Sequence, residues 1–362
     1  MHNILILGAG KVGSLVSYML AESNDYNIHL VDLSFSGITH EMAAGFSNIT
    51  LQEIDCSQKT KLINYIEANK IATIASCLPY YCNVIIAEIA CESGLNYFDL
   101  TEDVAVSDKV KELSHDSSGY FVGQCGLAPG FISIVTNNLI QEFDEVESVK
   151  MRVGALPVNV SNALQYALTW STEGLINEYS NKCSALDNGD IVSRYPLEGL
   201  EEIKIDGLTY EAFNTSGGVG SLVNSSLGKI KNMNYKTIRY PGHCDKIKFL
   251  MHELRLGQSR SLLQDVLETA VPQMSQDVVL VFVAVQGKKN GSLIEKNYTK
   301  KFYPKTIDSY QWSAVQMSTA SSLCALIDLV IGGHVKPDSN FVRQELIKFN
   351  DFIDNRFGAY FA

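Results

Sequence analysis

Three glycines spaced Gly8-x-Gly10-x-x-Gly13, followed nineteen residues later by Asp32, form the pattern in this chain that most narrowly specifies a chemistry. Gly8 permits a tight turn, Gly10 lets the backbone approach a pyrophosphate, and Gly13 lets a helix pack closely on a strand. The amides of Gly10, Lys11 and Val12 at the start of that helix would then hold the phosphates. Asp32 would accept the ribose 2'-hydroxyl. From Leu33 to Gln58 there is neither Lys nor Arg, so nothing nearby would neutralise a 2'-phosphate and the Asp32 carboxylate would repel one. NAD is therefore expected in preference to NADP.

A second concentration of chemistry lies at Tyr235-Lys236-Thr237-Ile238-Arg239-Tyr240-Pro241-Gly242-His243, where two bases, aromatics and a histidine meet a Pro-Gly turn. Arg239 has the planar fork that suits a substrate carboxylate, and Lys236 would add a second positive charge. The plainer alternative is a solvated strand end. Trp170 is read as a core residue of the same region, with walling of the substrate pocket as the alternative.

The elements that must position these residues follow from periodicity. Ile4 to Leu7 is a continuous apolar run, as expected of a strand buried on both faces, and it leads into the glycine turn. Val12, Leu15, Val16, Met19 and Leu20 then recur at helical spacing. Further strands are expected over Ile28 to Val31, Ile49 to Ile54, Ile71 to Ser76, Tyr97 to Leu100 and Tyr120 to Gln124, with helices between most of them; one helix, Asn83 to Ser93, closes on Gly94. This predicts an α/β fold with an N-terminal Rossmann domain, a doubly wound parallel sheet, over residues 1–126. Its ligand crevice lies beyond the strand carboxyl ends, which places Asp55, Leu78, Pro79, Tyr80, Thr101, Glu102 and Gly126 along it.

After Pro129-Gly130 strand patterns run in pairs. Val146 to Leu156, Glu202 to Asn214 and Tyr235 to Tyr240 read as strands, and Val278 to Gln286 with Lys296 to Pro304 reads as a hairpin turning at Asn290-Gly291. A second α+β domain over residues 127–310, with a mixed, largely antiparallel sheet, is expected to bind the substrate. Gln311 to Ile331 reads as a long helix, and Asn340 to Phe357 as helical too.

The chain has 362 residues, 46% hydrophobic and 19% charged with 8 prolines, which excludes disordered and collagen-like classes. Its net charge of -11 makes nucleic acid and anionic membrane surfaces poor partners. The longest purely apolar run, Val278 to Val285, is too short to span a bilayer, and the start lacks a basic n-region, so a cytoplasmic address is expected. The eight cysteines include no C-x-x-C pair and read as reduced core residues, with no metal site expected.

Gly8 to Gly13, Ser76 to Tyr80, Gly126-Leu127-Ala128-Pro129-Gly130, Thr169-Trp170-Ser171-x-x-Gly174-Leu175, Thr215-Ser216-Gly217-Gly218 and Tyr235 to His243 occur in one order. Taken together the chain resembles the saccharopine dehydrogenase family, including its lysine 6-dehydrogenase branch. The resemblance implies pyridine-nucleotide oxidation of a carbon–nitrogen bond at the lysine side chain, through an imine that water hydrolyses to an aldehyde. It also implies C-terminal helices, residues 311–362, packing back on the Rossmann domain, an amino-acid substrate, and a homodimer. Ala128, Pro129, Gly130 and Thr215 would face substrate. Two departures stand out. Glutamate-forming saccharopine dehydrogenases carry an Asp where this chain has Ala128, and an Asn-Arg-Asp-Ser stretch where it has Asn214 to Gly217. Both resemble the lysine 6-dehydrogenase branch, with saccharopine dehydrogenase proper as the alternative.

Hydride removal from a carbon bearing nitrogen needs a neutral amine, hence a group that takes a proton. His243, beside Arg239, is the first candidate; Tyr80 and Glu102 are the others. A non-catalytic NAD(H)-sensing protein on the same fold is the reading from another class, because fold alone does not determine activity.

Overall fold

The computed structural model describes residues 1–335, 337 and 339–362, and the chain divides into two compact units: Met1–Gly130 with Gln316–Ala362, and Phe131–Val315. The first unit opens by alternating strand and helix: β1 (His2–Leu7), α1 (Lys11–Glu22), β2 (Tyr26–Asp32), α2 (Gly37–Ala44), β3 (Ile49–Glu53), α3 (Lys59–Ala68), β4 (Thr73–Ser76), α4 (Asn83–Glu92), β5 (Asn96–Asp99), α5 (Val104–Ser114) and β6 (Phe121–Val122). All six strands run parallel in the order β3-β2-β1-β4-β5-β6, the doubly wound Rossmann arrangement. Ile4, Leu5, Ile6 and Leu7 are wholly buried, as a central strand covered on both faces requires. In α1 the core stripe is Leu15, Val16 and Leu20, while Val12 and Met19 sit half-buried at its margins. The last strand is shorter than the expected Tyr120 to Gln124, because Gln124 takes a φ of 62° and turns the chain out of the sheet.

In the second unit come α6 (Phe131–Ile140), β7 (Glu145–Pro157), α7 (Thr172–Ser180), β8 (Cys183–Asp187), β9 (Asp190–Arg194), β10 (Glu201–Ile205), β11 (Leu208–Asn214), α8 (Leu222–Ser226), β12 (Ile230–Arg239), α9 (His243–Lys248), α10 (Arg260–Ala270), β13 (Asp277–Lys289), β14 (Ser292–Phe302), β15 (Lys305–Ile307) and β16 (Tyr310–Trp312). The main sheet runs β10-β11-β12-β7-β13-β14, with β8 and β9 attached at β12. Only β12 with β7 is parallel in it, so the sheet is mixed and largely antiparallel. Asn290 and Gly291 join β13 to β14 with φ of 52° and 78°, the paired positive values of a type I' turn. The same chemistry corrects the single strand expected over Glu202 to Asn214: Asp206 and Gly207, at 51° and 78°, fold it into the hairpin β10–β11.

The chain ends with α11 (Ala314–Ile331) and α12 (Phe349–Asp354). The long helix begins later than Gln311 because Tyr310–Trp312 pairs with Lys305–Ile307 as a small sheet. It is long and apolar enough to cross a bilayer by length and composition, yet 78% of it is buried inside the protein, the pattern of a core helix. Asn340 to Phe357 is not one helix either. Residues 340–342 run extended beside β6, where Phe121 donates to the Asn340 carbonyl at 2.7 Å and Val342 to the Phe121 carbonyl at 2.9 Å.

A polar clasp ties this C-terminal segment to β2 within the first unit. Asp328 Oδ1 accepts from Tyr26 Oη at 2.8 Å and Arg356 Nη2 at 2.6 Å, Oδ2 accepts from Asn355 Nδ2 at 2.8 Å, and Arg356 Nη1 reaches Asp25 at 2.6 Å. Burial pushes the Asp328 carboxyl up, but these donors outweigh it and hold it below the usual carboxylate range. Its stabilising contribution is therefore present above the ordinary carboxylate pKa and is lost as the pH falls through the depressed value. Asp328→Ala should lower the unfolding free energy by about 2–3 kcal/mol near neutral pH, since three donors lose a charged acceptor. Denaturant unfolding checks this, and the deficit should shrink in strong acid.

Candidate active site

The nucleotide half of the site is built at the turn from β1 into α1. Gly8 has a φ of +96°, in the left-handed region. Gly13 presses on it so closely that a Cβ there would lie 1.8 Å from the Gly8 carbonyl oxygen, which no side chain could tolerate. Gly10 precedes α1 with no side-chain capping bond, and the space beside it is clear within 4 Å. The start of α1 is thus the end of a helix at which backbone N–H groups favour an anion. At the end of β2, Asp32 Oδ2 accepts from Ala9 N at 2.5 Å and Oδ1 from Leu33 N at 2.6 Å. The carboxylate is fixed against the glycine turn and keeps lone pairs for a diol. These residues fit an adenosine dinucleotide.

The other strand ends are placed as follows. Leu78 packs on the glycine turn, its Cδ2 3.4 Å from a Cβ built at Gly8; Pro79 is exposed, and half-buried Tyr80 opens the short turn into α4. Thr101 is buried, with its amide donating to Asp99 Oδ1 at 3.0 Å, and Glu102 beside it is half-buried. Asp55 is engaged in its own turn instead: Oδ1 accepts from Ser57 N at 2.9 Å, and bonds from Ser57 hold its pKa low. Gly126 and Gly130 pair across the loop that contains Ala128 and a cis Pro129. That loop belongs to the first unit, whereas Arg239, Lys236, Trp170 and Thr215 lie in the second.

In the second unit the predicted residues gather around a buried guanidinium. Arg239 is only 2% exposed. Its Nε donates to Tyr179 Oη at 2.9 Å, and its Nη1 donates to Thr237 Oγ1 at 2.7 Å and to the Ile238 carbonyl at 2.9 Å. Nη2 lies 4.0 Å from Glu178 Oε2, and the guanidinium carbon stands 4.9 Å from the Tyr166 ring centre and 5.8 Å from that of Tyr179. Burial opposes the charge, but Tyr179, Tyr166 and Glu178 outweigh it and keep Arg239 cationic. Trp170 Nε1 donates to Tyr166 Oη at 3.1 Å, and Ser216, next to buried Thr215, donates its amide to the Glu178 carbonyl at 3.1 Å. One network thus holds Arg239, His243 and Trp170, with Thr215 at its margin.

Three readings are corrected by this geometry. Lys236 cannot share a pocket with Arg239, because residues three apart on a strand point to opposite faces. It bonds instead to Glu201 Oε2 and the Gly199 carbonyl, both at 2.6 Å, with Arg152 on the other oxygen of Glu201 at 2.5 Å. Arg239 is not an open clamp, since its hydrogen-bonding edge is directed into the protein. His243 is not a turn histidine with a lone pair to offer. It is wholly buried, and its Nδ1 faces the Leu164 carbonyl at 2.9 Å, which requires a proton there. Burial and then Arg239 lower its pKa to about 3, so the ring is neutral and Nε2 accepts from Tyr179 Oη at 3.0 Å. A directed chain results, Arg239 to Tyr179 to His243 to the Leu164 carbonyl. Tyr179, Tyr166 and Glu178 were not singled out in the sequence. The available signal was Arg239 itself, which shares a buried strand face with Tyr235 and Thr237 and so demands partners.

Residues 4–121 match the family profile described as the saccharopine dehydrogenase NADP binding domain, and residues 126–346 match that of the saccharopine dehydrogenase C-terminal domain. The chain belongs to the saccharopine dehydrogenase family. The nucleotide-binding description of the first profile agrees with the fit of the glycine turn to a dinucleotide. Two curated relatives are the mitochondrial alpha-aminoadipic semialdehyde synthases of Mus musculus, 25% identical over 199 residues, and Rattus norvegicus, 24% identical over 199 residues. Each alignment covers 52% of this chain but 21% of the relative, so the chain spans about a fifth of those proteins. Among solved structures the fold is similar to apo saccharopine dehydrogenase (L-Glu forming) from Saccharomyces cerevisiae, with a TM-score of 0.77 at 15% identity, covering 96% of this chain and 95% of that one.

This saccharopine dehydrogenase-family site makes a prediction about its histidine. His243 should give nitrogen NMR shifts of one neutral tautomer, protonated at Nδ1, down to about pH 4. Because the unfolded chain binds that proton at ordinary histidine pH, stability should fall as the pH drops from about 6.5 toward 3, by on the order of 4 kcal/mol across the window. Tyr179→Phe removes both the acceptor of Arg239 and the donor to His243, and should cost about 1–3 kcal/mol in denaturant unfolding.

Proposed function

We propose that the protein is an NAD-dependent dehydrogenase that oxidises the side-chain carbon–nitrogen bond of lysine or a lysine-type amine. The observation that carries the cofactor half is Asp32, held by Ala9 and Leu33 at the β2 end and followed by a stretch without a base. A carboxylate there accepts ribose hydroxyls and repels a 2'-phosphate. Asp32→Ala should narrow the preference for NAD over NADP by about 1–3 kcal/mol, read from the two dissociation constants.

On the substrate side, two positions that carry an acid and a base in glutamate-forming saccharopine dehydrogenases read Ala128 and Thr215 here. Lys236 adds no charge near Arg239, because it is tied to Glu201 on the opposite face. Saccharopine brings three carboxylates, which an enclosed pocket must answer with fixed bases. A single amino-acid head group demands less and is favoured. The second reading, oxidation of saccharopine itself, is supported by the fold likeness to the yeast enzyme.

When bound, the nicotinamide supplies the hydride acceptor. The chain's own groups bind the nucleotide through the Gly8–Gly13 turn and Asp32. Proton uptake from the amine is assigned to Tyr80 or Glu102, the candidates at strand carboxyl ends, since His243 has both nitrogens engaged. Steady-state kinetics with lysine and saccharopine, each with NAD and NADP, test the reading. Lysine with NAD should give the highest kcat/KM. A clearly higher value for saccharopine would transfer the activity to the second reading, and nucleotide binding without turnover of any amine would make the protein a sensor. Glu102→Gln and Tyr80→Phe then identify the proton acceptor, whose loss should lower kcat by about 100-fold or more.

A further inference from the structure

Asp99 stands at the carboxyl end of β5 and is wholly buried. Its Oδ1 accepts two backbone N–H bonds, from Thr101 at 3.0 Å and from Gln124 at 2.9 Å. Its own carbonyl oxygen accepts from Cys125 N at 2.8 Å. One residue therefore joins the loop after β5 to the loop after β6. The two strands are adjacent and parallel, paired Tyr97 with Phe121 and Phe98 with Val122, so both loops leave the sheet side by side at its carboxyl edge. That edge is where a doubly wound sheet receives its ligand.

The bond to Gln124 has the most leverage. Its φ of 62° lies in the left-handed region, which a residue other than glycine adopts when its surroundings impose it. The closed turn Gly126–Gly130 begins two residues later. Gly123 lies against the carboxylate, where a Cβ would stand 3.7 and 3.8 Å from its two oxygens. We propose that Asp99 is a positioning residue of the nucleotide site, whose carboxylate holds the loops bearing Thr101 and Gly126 in the arrangement that receives the cofactor. The inference rests on the nucleotide reading above.

An anion accepts backbone amides more strongly than a neutral acid does, so the hold weakens on protonation. Burial raises the Asp99 carboxyl to about 6, against the opposing bonds from Gln124, Thr101 and Tyr97. Tyr97 on β5 and Cys125 after β6 interact with it, Glu102 and Asp103 follow in the loop it holds, and Arg343 and Glu345 flank Gln344, which donates to the Gly123 carbonyl at 2.9 Å. Burial drives the first two far up and keeps them neutral. Nucleotide affinity should then fall as the pH drops through about 6. The contribution of this group to stability has the opposite sign: the folded state binds the proton more tightly than the unfolded chain, so acidification toward about 4 favours folding through Asp99.

The test is NADH binding by fluorescence to the full chain, its Asp99→Asn variant and its Asp99→Ala variant, between about pH 8 and pH 5, with thermal melting of each. Asp99→Ala should weaken NADH about tenfold or more at pH 8, and Asp99→Asn, which keeps a neutral acceptor oxygen as the protonated acid does, should recover only part of that loss. The unmodified protein should lose affinity below about pH 6 while the Asn variant stays flat. A folded Ala variant that binds NADH as the unmodified protein does would overturn the proposal. So would identical pH profiles for the unmodified and Asn proteins, a comparison that decides the matter even if the Ala variant does not fold. An unmodified protein that binds neither NADH nor NADPH overturns the nucleotide reading, and this inference with it.

Discussion

Burying a guanidinium is the most demanding requirement of the second unit. Removing such an ion from water costs several kcal/mol, and only close, well-directed partners offset it. Around Arg239 those partners come from four places in the chain: Tyr166, the α7 residues Glu178 and Tyr179, Thr237 and the Ile238 carbonyl on its own strand, and His243 behind Tyr179. The need to satisfy one charge thus fixes how α7, β12 and α9 pack. It also explains the neutral histidine. A second cation beside Arg239 would have no counter-charge of its own, and a neutral imidazole can accept the tyrosine proton that completes the chain.

The first unit solves a different problem with backbone geometry. Its turn between β1 and α1 works because Gly13 has no Cβ to strike the Gly8 carbonyl, and because Asp32 reaches back to Ala9. The backbone N–H groups at the start of α1 lie beside that turn, where a helix favours an anion. Asp99 extends the same logic to the neighbouring strand ends, where a carboxylate collects amides from two loops. At these strand ends side-chain charge organises backbone, whereas around Arg239 it organises mainly other side chains.

This contrast accounts for what could be read from the sequence. Gly8, Gly10, Gly13 and Asp32 carry their meaning in spacing, and β1 is apolar from Ile4 to Leu7, so the start of the Rossmann sheet was legible directly. Asp99 was not, because an acid after Tyr97-Phe98 looks like any strand-end turn residue until its amide partners are seen. In the second unit Lys236 and Arg239 were grouped by composition, although period-two alternation already separates their faces. Glu178 and Tyr179 lie about sixty residues from Arg239 in the chain, and no local pattern links them. Asp206-Gly207 and Asn188-Gly189 are hairpin turn signals of the same kind as Asn290-Gly291. Residues 340–357 miscarried for another reason: their extended start depends on β6, a tertiary contact that periodicity does not contain.

The account stands on hydride leaving a carbon that bears nitrogen, and isotope transfer measures that directly. Lysine deuterated at its ε-carbon, and saccharopine carrying the same label, are each incubated with the protein and NAD, and the reduced nicotinamide is weighed by mass spectrometry. The account predicts one deuterium in the reduced nicotinamide, with lysine giving the faster transfer. Reduced nicotinamide that carries no deuterium from either compound would contradict it.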